Sequence, residues 1–113
     1  MWPPDECYPL KNQDKGTQLA VKVLRAPAAE SDLDGIAAFY GALNRAATHE
    51  MLDRLAAAEA TLSDHPLLGR AGRVAGTREL VVNGTPFIVV YVIEGDHLIV
   101  LRVWDARRHW PEH

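Results

Sequence analysis

Arginines are the residues of this sequence whose type and spacing point most clearly to chemistry. All six basic side chains (Lys or Arg) between residues 65 and 113 are arginines. Within "LLGRAGRVAGTREL" (residues 67–80), arginines alternate with glycines at Gly69, Arg70, Gly72, Arg73, Gly76 and Arg78. A guanidinium fork matches the geometry of carboxylate and phosphate groups. The stretch could therefore be a phosphate-binding loop, a surface for another anionic partner, or a flexible connection that carries solvated arginines.

A nucleotide phosphate loop is the least favoured of these three. Such a loop follows a strand, and its Lys-Ser/Thr pair opens a helix whose N-terminus faces the phosphates. Here a helical pattern precedes the glycines and a strand pattern follows them. We therefore interpret the stretch as a helix-to-strand connection in which each glycine permits a positive φ.

Side chains for nucleophilic or metal chemistry are poorly placed. Cys7 lies in a polar terminal segment, and Ser31 and Ser63 lie at positions typical of helix boundaries, with no histidine paired to them. His109 and His113 have i,i+4 spacing, but a proline between them interrupts a helix. We predict no catalytic residue, no metal site and no cofactor, with acid–base chemistry by a lone histidine left open.

A second candidate cluster lies near the C-terminus. Trp104 and Trp110 flank Arg107 and Arg108. Tryptophan and arginine together are typical of protein-interface hot spots and also of stacking platforms for RNA. The alternative is a tail that packs its tryptophans on the protein's own sheet.

The composition favours one soluble, cytoplasmic domain. The chain has 113 residues, a single cysteine and a net charge of −3, and it contains no apolar run of the roughly 20 residues that a membrane span needs. The start, "MWPPDECYPL", does not match a signal peptide. A negative net charge argues against a general nucleic-acid-binding protein, which would usually be basic. We predict that residues 1–18 are an extension outside the core and that residues 19–113 form the domain.

The hydrophobic pattern predicts the element order β-α-α-β-β-β. Residues 19–26 alternate as a strand, a first helix begins at Pro27 and ends at Gly41, and a second helix follows the N-cap Asn44 and ends before Pro66. Strands are predicted over 77–82, 87–93 and 97–104. This order predicts an α+β fold in which an antiparallel helical hairpin packs on one face of a small sheet, with a three-stranded antiparallel meander.

The last strand carries a charge on one of its two faces. Strict alternation of "HLIVLRVW" puts Ile99, Leu101 and Val103 on one face, and Val100, Arg102 and Trp104 on the other. A charge in the middle of a strand needs a partner or an open groove. We expect Arg102 to have one of these on the face that the helices leave uncovered.

Three segments together carry a family resemblance. They are "APAAESDLDGIAAFY", "LLGRAGRVAGTRELVV" and "TPFIVVYVIEGDHLIVLRVWDARRHWP". Over residues 21–111 the chain resembles the RelE/ParE toxins of bacterial type II toxin–antitoxin systems, and residues 69–111 are the most specific part. The family's element order is the one predicted above from periodicity.

The resemblance implies one of two activities. RelE-like members cleave mRNA in the ribosomal A site, whereas ParE-like members inhibit DNA gyrase. RelE-like nucleases often carry an arginine close to Phe87-Ile88-Val89, and a His-Tyr or similar pair at Trp104-Asp105-Ala106; this chain has neither. Because Arg78 and Arg102 do not make an acid–base pair, we favour the ParE-like function.

The ParE-like resemblance implies two protein partners. They are DNA gyrase and a neutralising ParD-like antitoxin, which would form a hetero-oligomer with the toxin and supply the only DNA contact. The expected partner-binding residues are Arg73, Arg78, Arg102, Trp104, Arg107, Arg108 and Trp110. A RelE-like mRNA endonuclease and a toxin-like module that only binds its partner are the alternatives.

Overall fold

A computed structural model describes residues 21–107 of the chain. The elements are β1 (Lys22–Arg25), α1 (Pro27–Leu43), α2 (Arg45–Asp64), β2 (Arg70–Ala71), β3 (Arg78–Val81), β4 (Phe87–Glu94) and β5 (His97–Asp105). The predicted extension at 1–18 and the candidate residues Arg108 and Trp110 lie outside the described part.

The strands form one five-stranded sheet in the order β1-β5-β4-β3-β2. β1 pairs with β5 in parallel, and β5-β4, β4-β3 and β3-β2 are antiparallel. The α+β class and the meander are confirmed. The fifth strand, β2, is a correction: part of the glycine–arginine connection pairs with β3 instead of only joining the hairpin to the sheet.

The two helices form an antiparallel hairpin joined by a single residue. Asn44 caps α2, because its side-chain oxygen accepts the N–H of Ala47 at 3.0 Å, as predicted. The prediction that α1 ends at Gly41 was wrong. The helix continues to Leu43, and the Asn44 N–H donates to the carbonyl of Tyr40.

The core lies between the helical hairpin and one face of the sheet. Its helical side consists of Ala29, Ile36 and Tyr40 of α1 and Leu55 and Leu62 of α2, with Ile36 and Leu62 fully buried. The sheet contributes a continuous layer of buried side chains: Phe87, Val89, Tyr91, Leu98, Val100 and Val103. Burial of this apolar layer is the main stabilising contribution in a domain of this size.

A β-bulge changes which side chains of β5 face the core. Val90 pairs with Arg102, but the next residue, Tyr91, pairs with Val100, so Leu101 is skipped. Each bulge residue reverses the alternation beyond it. The strict alternation predicted for β5 was therefore wrong, and Val100 and Val103 both face the core.

The opposite face of the sheet is called the outer face below. Residues that pair directly across neighbouring strands point to the same side. The register places these side chains there: Arg70, Glu79, Val81, Ile88, Val90, Arg102 and Trp104. This face carries Arg70, Glu79 and Arg102 on the side away from the helical core.

Candidate partner-binding surface

A buried carboxylate organises the outer face. Glu79 lies in β3, and its side chain is 1% exposed. It accepts three hydrogen bonds from Arg73, from the backbone N–H (3.0 Å), Nε (3.1 Å) and Nη2 (3.5 Å), and one from Arg70 Nη2 (3.3 Å). One buried negative charge is therefore bound by two arginines whose side chains are 63% (Arg70) and 55% (Arg73) exposed.

These bonds keep Glu79 ionised. Burial alone would raise its pKa, since a charge loses solvation in the protein interior. The hydrogen bonds from the Arg73 backbone, the Arg73 guanidinium and Arg70 outweigh burial, and the pKa lies below its usual value. The cluster therefore carries a net positive charge at neutral pH.

Arg73 also lies over an aromatic ring of the neighbouring strand. Its guanidinium carbon is 4.7 Å from the centre of the Trp104 ring, within the range of a cation–π contact. Two predicted site residues, Arg73 and Trp104, are thus brought together. The sequence analysis missed Arg70 as a site residue and Glu79 as their common partner, because their proximity depends on the β2–β3 pairing.

Close packing fixes the segment that carries these arginines. The Tyr91 hydroxyl accepts the N–H of Gly69 and donates to the carbonyl of Pro66, each at 2.8 Å. A Cβ at Gly69 would lie 2.7 Å from that hydroxyl. Of the three glycines of the stretch, Gly76 uses a positive φ (86°), whereas Gly69 permits a close approach.

Arg78 lies apart from Arg73. Its register partner is the core residue Tyr91, so it starts from the helical face of the sheet. Its Nη1 donates to the carbonyls of Gly69 (2.6 Å) and Leu67 (3.3 Å). Arg78 therefore stabilises the connection before β2, on the face of the sheet opposite to Glu79 and its arginines.

Arg102 has the partner that its position required. Its Nε and Nη2 donate to Asp32 of α1 at 2.8 and 2.9 Å, and the backbone N–H of Val103 donates to the same carboxylate at 2.9 Å. The hydrogen bonds that Arg102 donates to Asp32 raise the pKa of Arg102. β1 pairs with β5 only as far as Val100, so the edge of β5 after Val100 has no neighbouring strand on that side. On this part of the edge, Asp32 accepts the backbone N–H of Val103.

Arg107 belongs to a third cluster, at the end of β5. The fully buried carboxylate of Asp105 accepts the hydroxyl of Tyr40 and the backbone N–H of Arg107. Arg107 Nη2 donates to the Tyr40 hydroxyl at 3.3 Å, and its guanidinium lies 5.6 Å from the centre of the ring. Burial and the bond to Asp105 raise the pKa of Tyr40, so the phenol stays protonated at neutral pH.

The described residues contain neither a metal-binding cluster nor a membrane-spanning helix. Between residues 21 and 107, no three His, Cys, Asp or Glu side chains are arranged to hold a metal ion. The helices of the same region are too short or too polar to cross a bilayer.

Comparison with known proteins identifies the family. Residues 23–110 match the model of the ParE toxin of the type II toxin–antitoxin system parDE. The chain belongs to the ParE toxin family. Its relatives include Y4kP, a candidate toxin of Sinorhizobium fredii (strain NBRC 101917 / NGR234). Y4kP is 35% identical over 80 residues, which cover 71% of this chain and 82% of Y4kP.

Solved structures share the ParE fold of this toxin. A protein of the chromosomal ParDE toxin–antitoxin system of P. aeruginosa superposes with a TM-score of 0.69 at 21% identity, covering 76% of this chain and 96% of that one. A conserved hypothetical protein of Helicobacter pylori gives a TM-score of 0.53 at 20% identity, covering 78% and 97%. At these identities the likeness concerns the fold alone.

The structure also locates the two stretches where RelE-like toxins were expected to differ from this ParE-family toxin. Phe87 and Val89 are fully buried in the core, and Ile88 lies on the outer face beside Trp104. Asp105 points into the protein and is fully buried. These positions therefore serve packing and internal hydrogen bonding in this chain.

Proposed function

We propose that this ParE-family toxin inhibits DNA gyrase, and so replication, by direct protein–protein contact. The observation that carries the proposal is the match of residues 23–110 to the ParE toxin family, which spans every helix and almost every strand of the described fold. A gyrase inhibitor of this kind needs a binding surface and no catalytic acid–base pair. The proposal places the toxin in the cytoplasm, where gyrase acts on DNA.

The geometry supports contact with protein. Arg73 is oriented by Glu79 and stacked on Trp104, so it is held ready for a planar anionic partner. Arg107 is exposed next to Tyr40 at the far end of β5. We propose that Arg73, Trp104 and Arg107 contact partner proteins. Arg78 and Arg102 support the surface from their internal bonds.

A ParD-like antitoxin is the second proposed partner. It neutralises the toxin by forming a hetero-oligomer with it, and it provides the only DNA contact of the complex. This part of the proposal rests on the toxin–antitoxin family to which the chain belongs.

A supercoiling assay tests the proposal. Purified full-length protein is titrated into gyrase, relaxed plasmid and ATP, and supercoiled product is measured. We expect supercoiling to fall as the toxin reaches excess, and the cognate antitoxin to restore it. Heat-denatured protein is the matched control. Unimpaired gyrase, together with codon-specific cuts in a toeprinting assay on translating ribosomes, would favour the RelE-like endonuclease instead.

A further inference from the structure

The arginine cluster around Glu79 has more positive charge than its own carboxylate neutralises. Two guanidinium groups share one buried carboxylate. Arg73 uses its Nε and Nη2 on Glu79, and its Nη1 makes no hydrogen bond with any residue in the range 21–107. Both arginines are more than half exposed, so the excess charge is accessible from solvent.

Two apolar side chains of the segments that carry Arg73 and Glu79 are also exposed. Val74 follows Arg73 directly and is 57% exposed, and Val81, on the outer face of β3, is 49% exposed. With Trp104 beneath Arg73, the cluster combines arginine, tryptophan and apolar groups. This combination is typical of the central part of protein interfaces.

We propose that Arg70 and Arg73, together with the exposed Val74 and Val81, bind an acidic segment of a partner protein that also carries apolar side chains. The inference rests on the proposed function, since it names the part of the toxin that a partner protein contacts. Carboxylates bind the outward N–H groups of the arginines, and apolar side chains pack on the valines. Because Glu79 and Trp104 already restrict Arg73, little further side-chain entropy is lost on binding.

A polypeptide fits this surface better than a nucleic acid does. The chain as a whole carries a net charge of −3, which repels a polyanion, whereas a short acidic segment meets only the local positive cluster. The exposed valines have no use in contacts with a phosphate backbone, which are made mainly by charged and polar groups. Charge complementarity and apolar contact therefore select the same class of partner.

An NMR titration of the ¹⁵N-labelled full chain tests the inference without gyrase. The probes are an acetylated, glutamate-rich peptide with interspersed leucines and a single-stranded oligonucleotide of the same net charge. We expect the peptide to shift the backbone signals of residues 70–74, the Nε–H signal of Arg73 and the indole signal of Trp104. Added salt should weaken this binding, since exposed charges are screened.

Three variants locate the binding. Arg70→Gln should weaken the peptide about two- to five-fold, the range for one exposed ion pair. Combined Arg73→Gln and Glu79→Gln changes leave the net charge of the cluster unchanged and no buried carboxylate unpaired. They remove the guanidinium that lies over Trp104 and should weaken the peptide by a similar factor. Arg45→Gln, which alters an exposed arginine at the first residue of α2, is the matched control and should leave binding unchanged.

Two outcomes would overturn the inference: equal peptide affinity for all variants, or tighter binding of the oligonucleotide than of the peptide at the same salt concentration. The gyrase proposal can fail while this inference stands. If the peptide binds through Arg70 while gyrase is unaffected by the toxin, the acidic-segment surface stands and the target is another protein.

Discussion

Replacing Glu79 with glutamine tests whether the buried carboxylate organises the arginine surface. The substitution keeps the shape of the side chain but removes its negative charge. In the wild type the carboxylate accepts three hydrogen bonds from Arg73 and one from Arg70. An amide oxygen can still accept some of these bonds, while the new NH₂ group faces arginine donors. Glu79→Gln should therefore destabilise the fold and loosen the arginines.

The size of this loss of stability depends on the burial of Glu79 and on the exposure of the two arginines. Breaking a fully buried ion pair costs about 3–5 kcal/mol. Glu79 is buried, but both arginines are more than half exposed and can be solvated once released. We therefore expect a loss of about 1–3 kcal/mol, in the range of hydrogen bonds to charged groups. For a domain of this size each kcal/mol lowers Tm by roughly 4–8 °C.

The pH dependence of this loss has a defined sign. The pKa of Glu79 is lowered from its usual 4.5, so folding favours the ionised side chain. Its contribution to stability is complete above about pH 4.5 and is lost as the pH falls through the pKa of the folded state. The stability difference between wild type and Glu79→Gln should be constant near neutral pH and shrink in acid.

Urea unfolding followed by circular dichroism, from pH 7 down to pH 3, measures the effect. Glu50→Gln is the matched control, because Glu50 pairs with Arg54 on the surface of α2 and should cost less than about 0.5 kcal/mol. A Glu79→Gln variant as stable as wild type at pH 7, or a difference that does not change with pH, would refute the reasoning.

Two further substitutions test the supports of the surface. Tyr91→Phe removes the hydroxyl that bonds to Gly69 and should cost about 1–3 kcal/mol; faster hydrogen exchange at the Gly69 amide would verify it, and unchanged exchange would contradict it. Asp32→Asn removes the carboxylate that accepts hydrogen bonds from Arg102 and from the backbone N–H of Val103. It should also lower the free energy of unfolding in urea by about 1–3 kcal/mol. An unchanged free energy of unfolding would show that solvent replaces this carboxylate.

The sequence predicted the elements well because their signals are local. The apolar spacing of the helices, the Asn44 cap and the Asn83-Gly84 dipeptide between β3 and β4 all depend on residues a few positions apart. This dipeptide lies in the turn between the two strands, with Gly84 at φ 80°. The α+β class follows from the order of these elements.

The site was harder to predict because its contacts join distant parts of the chain. Asp32 reaches Arg102 across 70 positions, and the pairing of Arg70 with Glu79 requires a two-residue strand with too short a pattern to recognise. The bulge at Leu101 reverses the alternation of β5 and depends on the neighbouring strand. Sequence reasoning therefore found Arg73 and Trp104 as candidates, but not the carboxylates that orient Arg73 and Arg102.

Direct binding of the full-length toxin to purified gyrase tests the central proposal most closely. The toxin is immobilised, gyrase is passed over it by biolayer interferometry, and the same preparation is added to translating ribosomes. We expect a saturable complex with gyrase and intact mRNA on the ribosomes, as the gyrase proposal requires. No binding to gyrase at toxin concentrations that cut ribosome-bound mRNA would contradict it.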